Sequence, residues 1–307
     1  RLLASVSRME RFIACPFQHF AVHGLRLQER RLYRVESPDI GQLFHAALRQ
    51  TTEKLFAEGP AGMDASRWQL EAAAAVDKLL PRVQSQILLS SHRHQVMARK
   101  LRDIVTKASA MLGEHAALSA FKPVGLELSF GPDGLLPALS LPLDSSRWMD
   151  IVGKIDRVDA AESSAGLLLR ILDYKSSATK LKLDEVAHGL SLQMLTYLDV
   201  VVTHAPHWLG RPAKPAGVLY FHVQNPLLNT ANGLSPEEAR NALFKQYRMQ
   251  GLLLANGESV KLMDETLADA GKSAVVPVEF KKDGTFSARS QVASESEWEV
   301  LRGSGRS

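Results

Sequence analysis

The chain reads as a mixed α/β protein, a central sheet flanked by helices, with a helical part placed ahead of the core strands. Three features predict this. Residues 64–120 are rich in Ala, Leu, Gln, Arg and Lys without strand-like alternation, which favours two or three long helices. After Lys122-Pro123, the apolar Val124, Leu126, Leu128 and Phe130 alternate with Gly125, Glu127 and Ser129, the period of a strand. Two further strand-like runs, a helix and another strand then follow. No Gly-rich fingerprint follows a strand and there is no eightfold alternation, so a dinucleotide-binding fold and an α/β barrel are excluded.

In chain order, Ser7-Arg8-Met9-Glu10 predicts a capping box, with Ser7 accepting from a free amide and Glu10 reaching back. Pro16 interrupts the short helix that begins there. From Gly41 to about Phe56, Leu43, Phe44, Ala47, Leu48 and Leu55 recur at helical spacing, and His45 lies one turn beyond Gly41. Strands are predicted at about 149–159 and 167–175, separated by the turn-like residues 161–166, and a helix from about Leu183 to Val202. A buried strand at 216–223 precedes Ser235-Pro236-Glu237-Glu238, a strong helix start leading to about Met249. A last strand fits Val275 to Phe280, and residues 303–307 look like a flexible tail.

Hydrophobic residues at 45% and charged residues at 23% exclude fibrous, disordered and disulfide-scaffold classes. A formal charge of +4 permits contact with a polyanion without requiring it. Basic residues cluster at Arg26, Arg30, Arg31 and Arg34, at Lys175, Lys180 and Lys182, and at Lys281 and Lys282; a solvated face accounts for any one of these. The single cysteine, Cys15, excludes an intramolecular disulfide and points to a reducing, cytoplasmic setting. Neither a signal peptide nor a long apolar run is present, so no membrane role is expected. The chain begins with Arg1 and is read as a fragment of something longer.

Chemistry concentrates in Ile171-Leu172-Asp173-Tyr174-Lys175. Side chains two apart on a strand share a face, so Asp173 and Lys175 project together while Tyr174 points away. Asp156, in the run Gly153 to Asp159, comes near Asp173 if the two strands form a hairpin. Carboxylates held close together repel, and a divalent cation relieves the repulsion. Lysine beside it can hold the attacking water and offset charge on a phosphate. Asp159, just before a turn, is read as a solvated carboxylate.

These residues, taken with Ser5 to Glu10, Cys15-Pro16-Phe17, Gly41 to His45, Gly153 to Arg157, Gln193 to Tyr197, Val276 to Val278 and Lys281 to Phe286, resemble the RecB-like branch of the PD-(D/E)XK nucleases. Within it they are similar to the carboxy-terminal nuclease domains of AddB-type subunits of ATP-dependent helicase–nuclease complexes. The resemblance implies a restriction-endonuclease-like sheet over residues 1–302, with a helical part at 41–120, a catalytic core at 123–224 and a carboxy-terminal extension at 235–300. It implies that His45, Asp156, Asp173 and the Tyr174 carbonyl bind Mg²⁺ or Mn²⁺, that Lys175 is the catalytic lysine, and that Gln193 and Tyr197 face the site and touch the DNA backbone or orient Lys175. Glu127 is a weaker addition that could accept from Lys175 or stay solvated.

The implied function is a single-strand DNA exonuclease that processes double-strand-break ends for recombinational repair, with DNA and an AddA-like helicase subunit as partners. A catalytically silent clamp module and a stand-alone exonuclease are the alternatives. Many members of the family hold a 4Fe-4S cluster on one early cysteine and three late ones. Cys15 occupies the first position, no cysteine follows it, and four thiolates are needed; the expectation is a cysteine-rich tail beyond this chain.

Overall fold

The computed structural model describes residues 2–28, 30, 34–59, 64–228 and 233–304. Arg31 of the first basic cluster and residues 305–307 of the expected tail lie outside them.

Strand β1 (Leu2–Ser5) leads into α1 (Val6–Ala14) and then α2 (Pro16–His19), with a π turn over Phe20–Gly24. Pro16 opens α2 at a position where its missing N–H is no loss. Ser5, not Ser7, caps α1, accepting from the Arg8 amide at 3.3 Å. Since the helix begins at Val6, Glu10 lies two residues past the position that closes a capping box and serves a different helix. The helical layer follows as predicted: α3 (Ser37–Ala57), α4 (Ala65–Leu79), a 3₁₀ stretch over Leu80–Leu89, and α5 (His92–Ala117). Gly113 of α5 lets the Trp68 indole of α4 approach so closely that a Cβ there would meet the ring at 2.5 Å.

Next come β2 (Lys122–Phe130), β3 (Leu139–Pro142), β4 (Trp148–Ser163), β5 (Gly166–Lys175), α6 (Leu183–Ala187), α7 (Gln193–Trp208) and β6 (Ala213–His222). The carboxy-terminal part holds α8 (Pro236–Gln246), β7 (Gln250–Leu254), α9 (Gly257–Met263), β8 (Gly271–Lys272), β9 (Glu279–Phe280), β10 (Val292–Ala293) and α10 (Glu295–Ser304). Eight strands form one mixed sheet along the path β1-β4-β5-β6-β7-β10, with β2 and β3 also paired to β4. β4 and β5 form the predicted antiparallel hairpin, and β5 continues through α7 to the parallel β6.

β5 is buried on both faces, which explains its near-continuous apolar run. Leu167, Leu169 and Ile171 pack with α7, whereas Leu168, Leu172 and Tyr174 pack with the helical layer. Side chains of this size each contribute roughly 1.5–3 kcal/mol when fully buried, so the register of β5, and with it the face that Asp173 takes, is strongly fixed.

Several expectations change. The helix predicted from Leu183 to Val202 is two helices, α6 and α7, separated by Gly189 in the left-handed region at φ +73°. The strand predicted at Val275 to Phe280 survives only as Glu279–Phe280, because Pro277 has no amide to pair and the Val278 amide turns back to Val276. Gly303 and Ser304, expected in a flexible tail, close α10. Strands β1, β3 and β7 were not expected. Among the described residues no helix is long and apolar enough to cross a membrane.

Candidate active site

Asp173 and Lys175 stand at the end of β5, on the face covered by α7 and opposite to that of Tyr174. The Lys175 ammonium lies 2.7 Å from Asp173 Oδ2 and 5.7 Å above the centre of the Tyr220 ring on β6. That ammonium is the partner the structure gives the buried Oδ2.

The β4–β5 ladder closes at Arg157 opposite Leu172. One step further, where Asp156 would oppose Asp173, side chains replace the ladder. The Tyr174 amide donates to Asp156 Oδ2 at 3.0 Å, and the Tyr174 carbonyl lies 2.8 Å from His45 Nε2. His45, delivered by α3, turns its Nδ1 to Asp156 Oδ1 at 3.1 Å. Burial and then the neighbouring Asp156 charge push the Asp173 carboxyl up to about 6, against the pull of Lys175 and His45. Burial would lower the His45 pKa, but its hydrogen bond to Asp156 and the charges of Asp156 and Asp173 outweigh burial and raise it.

Glu127 takes a place that its sequence did not reveal. Mid-strand in β2, between the pairs Leu126–Arg157 and Leu128–Ile155, it adopts φ 51°, a left-handed conformation rare for such a residue. Strain of this kind costs about 1–3 kcal/mol and clusters at functional sites. Its carboxylate pairs with Lys154 rather than Lys175. One ligand atom each from Glu127, His45 and Asp156 lie within 4.8 Å of one another.

Gln193 opens α7, and its amide donates to the Tyr197 hydroxyl at 3.1 Å, one turn along. Burial is the main cause that raises the Tyr197 pKa, and the charges of Asp173 and Asp156 act in the same direction. Tyr220 had no sequence signal, and the signal around Glu10 pointed to a local capping box; each reaches the site only through the fold. Cys15 sits apart, accepting from the Gln18 amide at the start of α2. As the one cysteine present it does not make a four-thiolate site from this chain.

An imidazole, clustered carboxylates and the buried Asp173 carboxylate are a donor set suited to a divalent cation. Beside them opens a cleft of about 580 Å³ lined by Gln42, His45, Arg49, Glu127, Lys154 and Asp156. The profile of the PD-(D/E)XK nuclease superfamily matches residues 3–290. The chain belongs to that superfamily. PD-(D/E)XK nucleases use divalent metal ions, in keeping with the donors just described.

Curated relatives agree. The chain is 50% identical over 305 residues to an ATP-dependent helicase/deoxyribonuclease subunit of Geobacillus kaustophilus, covering 98% of this chain and 26% of that protein. It is 50% identical over 300 residues to the subunit of the same name from Bacillus licheniformis, covering 97% of this chain and 26% of the relative. The Bacillus subtilis counterpart is 49% identical over 303 residues, again with 98% and 26% covered. The chain therefore spans about a quarter of the length of these relatives.

Proposed function

We propose that this PD-(D/E)XK chain is the metal-dependent DNA nuclease part of a helicase–nuclease complex, acting as a single-strand exonuclease on double-strand-break ends bound for recombinational repair. The observation that carries the reading is the junction of β4 and β5, where Asp156, Asp173, the Tyr174 carbonyl and His45 converge beside the Lys175 ammonium. Whole-protein partners are DNA and an AddA-like helicase subunit, a reading supported by the subunit names of the relatives.

His45, Asp156, Asp173 and the Tyr174 carbonyl would hold Mg²⁺ or Mn²⁺; of these, His45 and Asp156 already have ligand atoms within 4.8 Å of one another and of Glu127. A cation there supplies Lewis-acid polarisation of the scissile phosphate and a more acidic water. Lys175 holds the attacking water and offsets negative charge gathering on the phosphate oxygens. Its ammonium is aimed by Asp173 on one side and the Tyr220 ring beneath. Gln193 and Tyr197, linked to each other, orient the DNA backbone from the α7 side. Arg49 and Lys154 line the cleft and would meet phosphates without reading bases.

The test is degradation of end-labelled single-stranded DNA with Mg²⁺ or Mn²⁺ by the intact polypeptide, beside Asp173→Ala. Loss of about a hundredfold or more in the variant is expected. A wild type that leaves the DNA intact with either cation overturns the reading.

A further inference from the structure

We infer that Glu10 is a positioning residue of this site, fixing the amino-terminal end of α7 from which Gln193 and Tyr197 serve it; the inference rests on the nuclease reading above. One oxygen of its carboxylate accepts from the Leu192 amide at 2.7 Å and the Gln193 amide at 3.0 Å, across 182 and 183 positions of sequence. The first turn of α7 has no side-chain cap of its own from Leu192. Its orphan amides and the positive end of the helix dipole are the natural partners of a carboxylate. Glu10 thereby fixes the helix start on which Gln193 sits and from which Gln193 reaches Tyr197.

Through these two hydrogen bonds the segment β1–α1, joined to the sheet by parallel pairing with β4, becomes part of the site, because it holds α7 at the end that carries Gln193 and its contact with the Tyr197 hydroxyl.

The test compares wild type, Glu10→Gln and Glu10→Ala in the intact polypeptide by two readouts: kcat and KM on single-stranded DNA with Mg²⁺, and hydrogen exchange over residues 192–197. Glu10→Gln keeps an oxygen for the amides; Glu10→Ala does not. In Glu10→Ala, kcat falls about tenfold or more with KM little changed, as for an interaction made in the transition state, and the first turn of α7 loses protection. In Glu10→Gln both the protection and kcat largely return. A wild-type kcat in Glu10→Ala, or a kcat that stays low in Glu10→Gln although protection has returned, overturns the inference. If the wild type itself cleaves no DNA, the nuclease reading fails separately, and unchanged protection in Glu10→Ala then overturns the role of Glu10 as well.

Discussion

Asp173, 3% exposed and beside Asp156, has its carboxyl pushed up to about 6 by burial and by that neighbouring charge. To hold a cation it must be ionised, and His45, whose pKa is also raised, must give up its proton. Both releases run in one direction, so Mn²⁺ affinity is expected to climb as pH rises through 6 and on through the raised His45 pKa, levelling off only above both. Each proton that must leave weakens binding by up to about tenfold per pH unit below its pKa. Calorimetric titration with Mn²⁺ between pH 5 and 8 checks this, with Asp173→Asn expected to flatten the profile; an affinity constant from pH 5 to 7 would count against it. The face shared by Asp173 and Lys175 was legible in the sequence, because strand periodicity alone fixes it. The role of Glu127 was not, because a left-handed residue inside a strand turns its side chain away from where that periodicity puts it. Glu10 misled for a different reason: a local rule offered it a partner three residues away, and its true partners lie at the start of α7.

The β4–β5 hairpin carries a buried charge cluster on its other face. Asp159, expected to be solvated, is 0% exposed and accepts from Arg157 Nε at 2.6 Å on its own strand and from Arg170 Nη2 at 2.9 Å on β5. The arginines rest on Phe56 of α3 and on Phe121, at 5.5 and 4.7 Å from the ring centres. Burial would raise the Asp159 pKa, but the two guanidinium groups outweigh it and lower it, so the aspartate is charged in the folded protein at neutral pH. Sequence reading missed this because the second arginine arrives only through the register that pairs Asp159 with Arg170. Removing the shared carboxylate strands two buried cations, a change that typically costs about 3–5 kcal/mol. Asp159→Ala should therefore lower the urea midpoint by that equivalent, while Asp159→Asn, which keeps an acceptor, loses less. A loss below about 1 kcal/mol in Asp159→Ala, the range of an exposed pair, would show that the cluster does not bind the hairpin to the helical layer.

At the scale of the whole molecule, stability depends on the helical layer staying against the sheet, and His115 stands in that seam. It projects from α5, 1% exposed, with its ring edge-on to Phe221 of β6 and Phe244 of α8. Neither ring nitrogen has a hydrogen-bond partner among the described residues. Burial, with Arg170 adding to it, pushes the His115 pKa down to about 3, so the ring is neutral in the folded protein. Unfolded, it returns to about 6.5. Between those values the unfolded chain binds the extra proton, so stability must fall as pH falls. The contribution is complete above pH 6.5 and drains away below it, to a limit on the order of 4 kcal/mol. Urea unfolding at pH 7.5 and pH 5 should therefore show a clear drop in midpoint for the wild type. In His115→Leu, which has nothing to titrate at that position, the part of the drop due to this ring disappears, leaving what the other groups contribute, among them His204 and His222, whose pKa values burial also lowers. An equal drop in both proteins would mean that the ring is solvated or paired and that the seam between α5, α8 and β6 opens in solution.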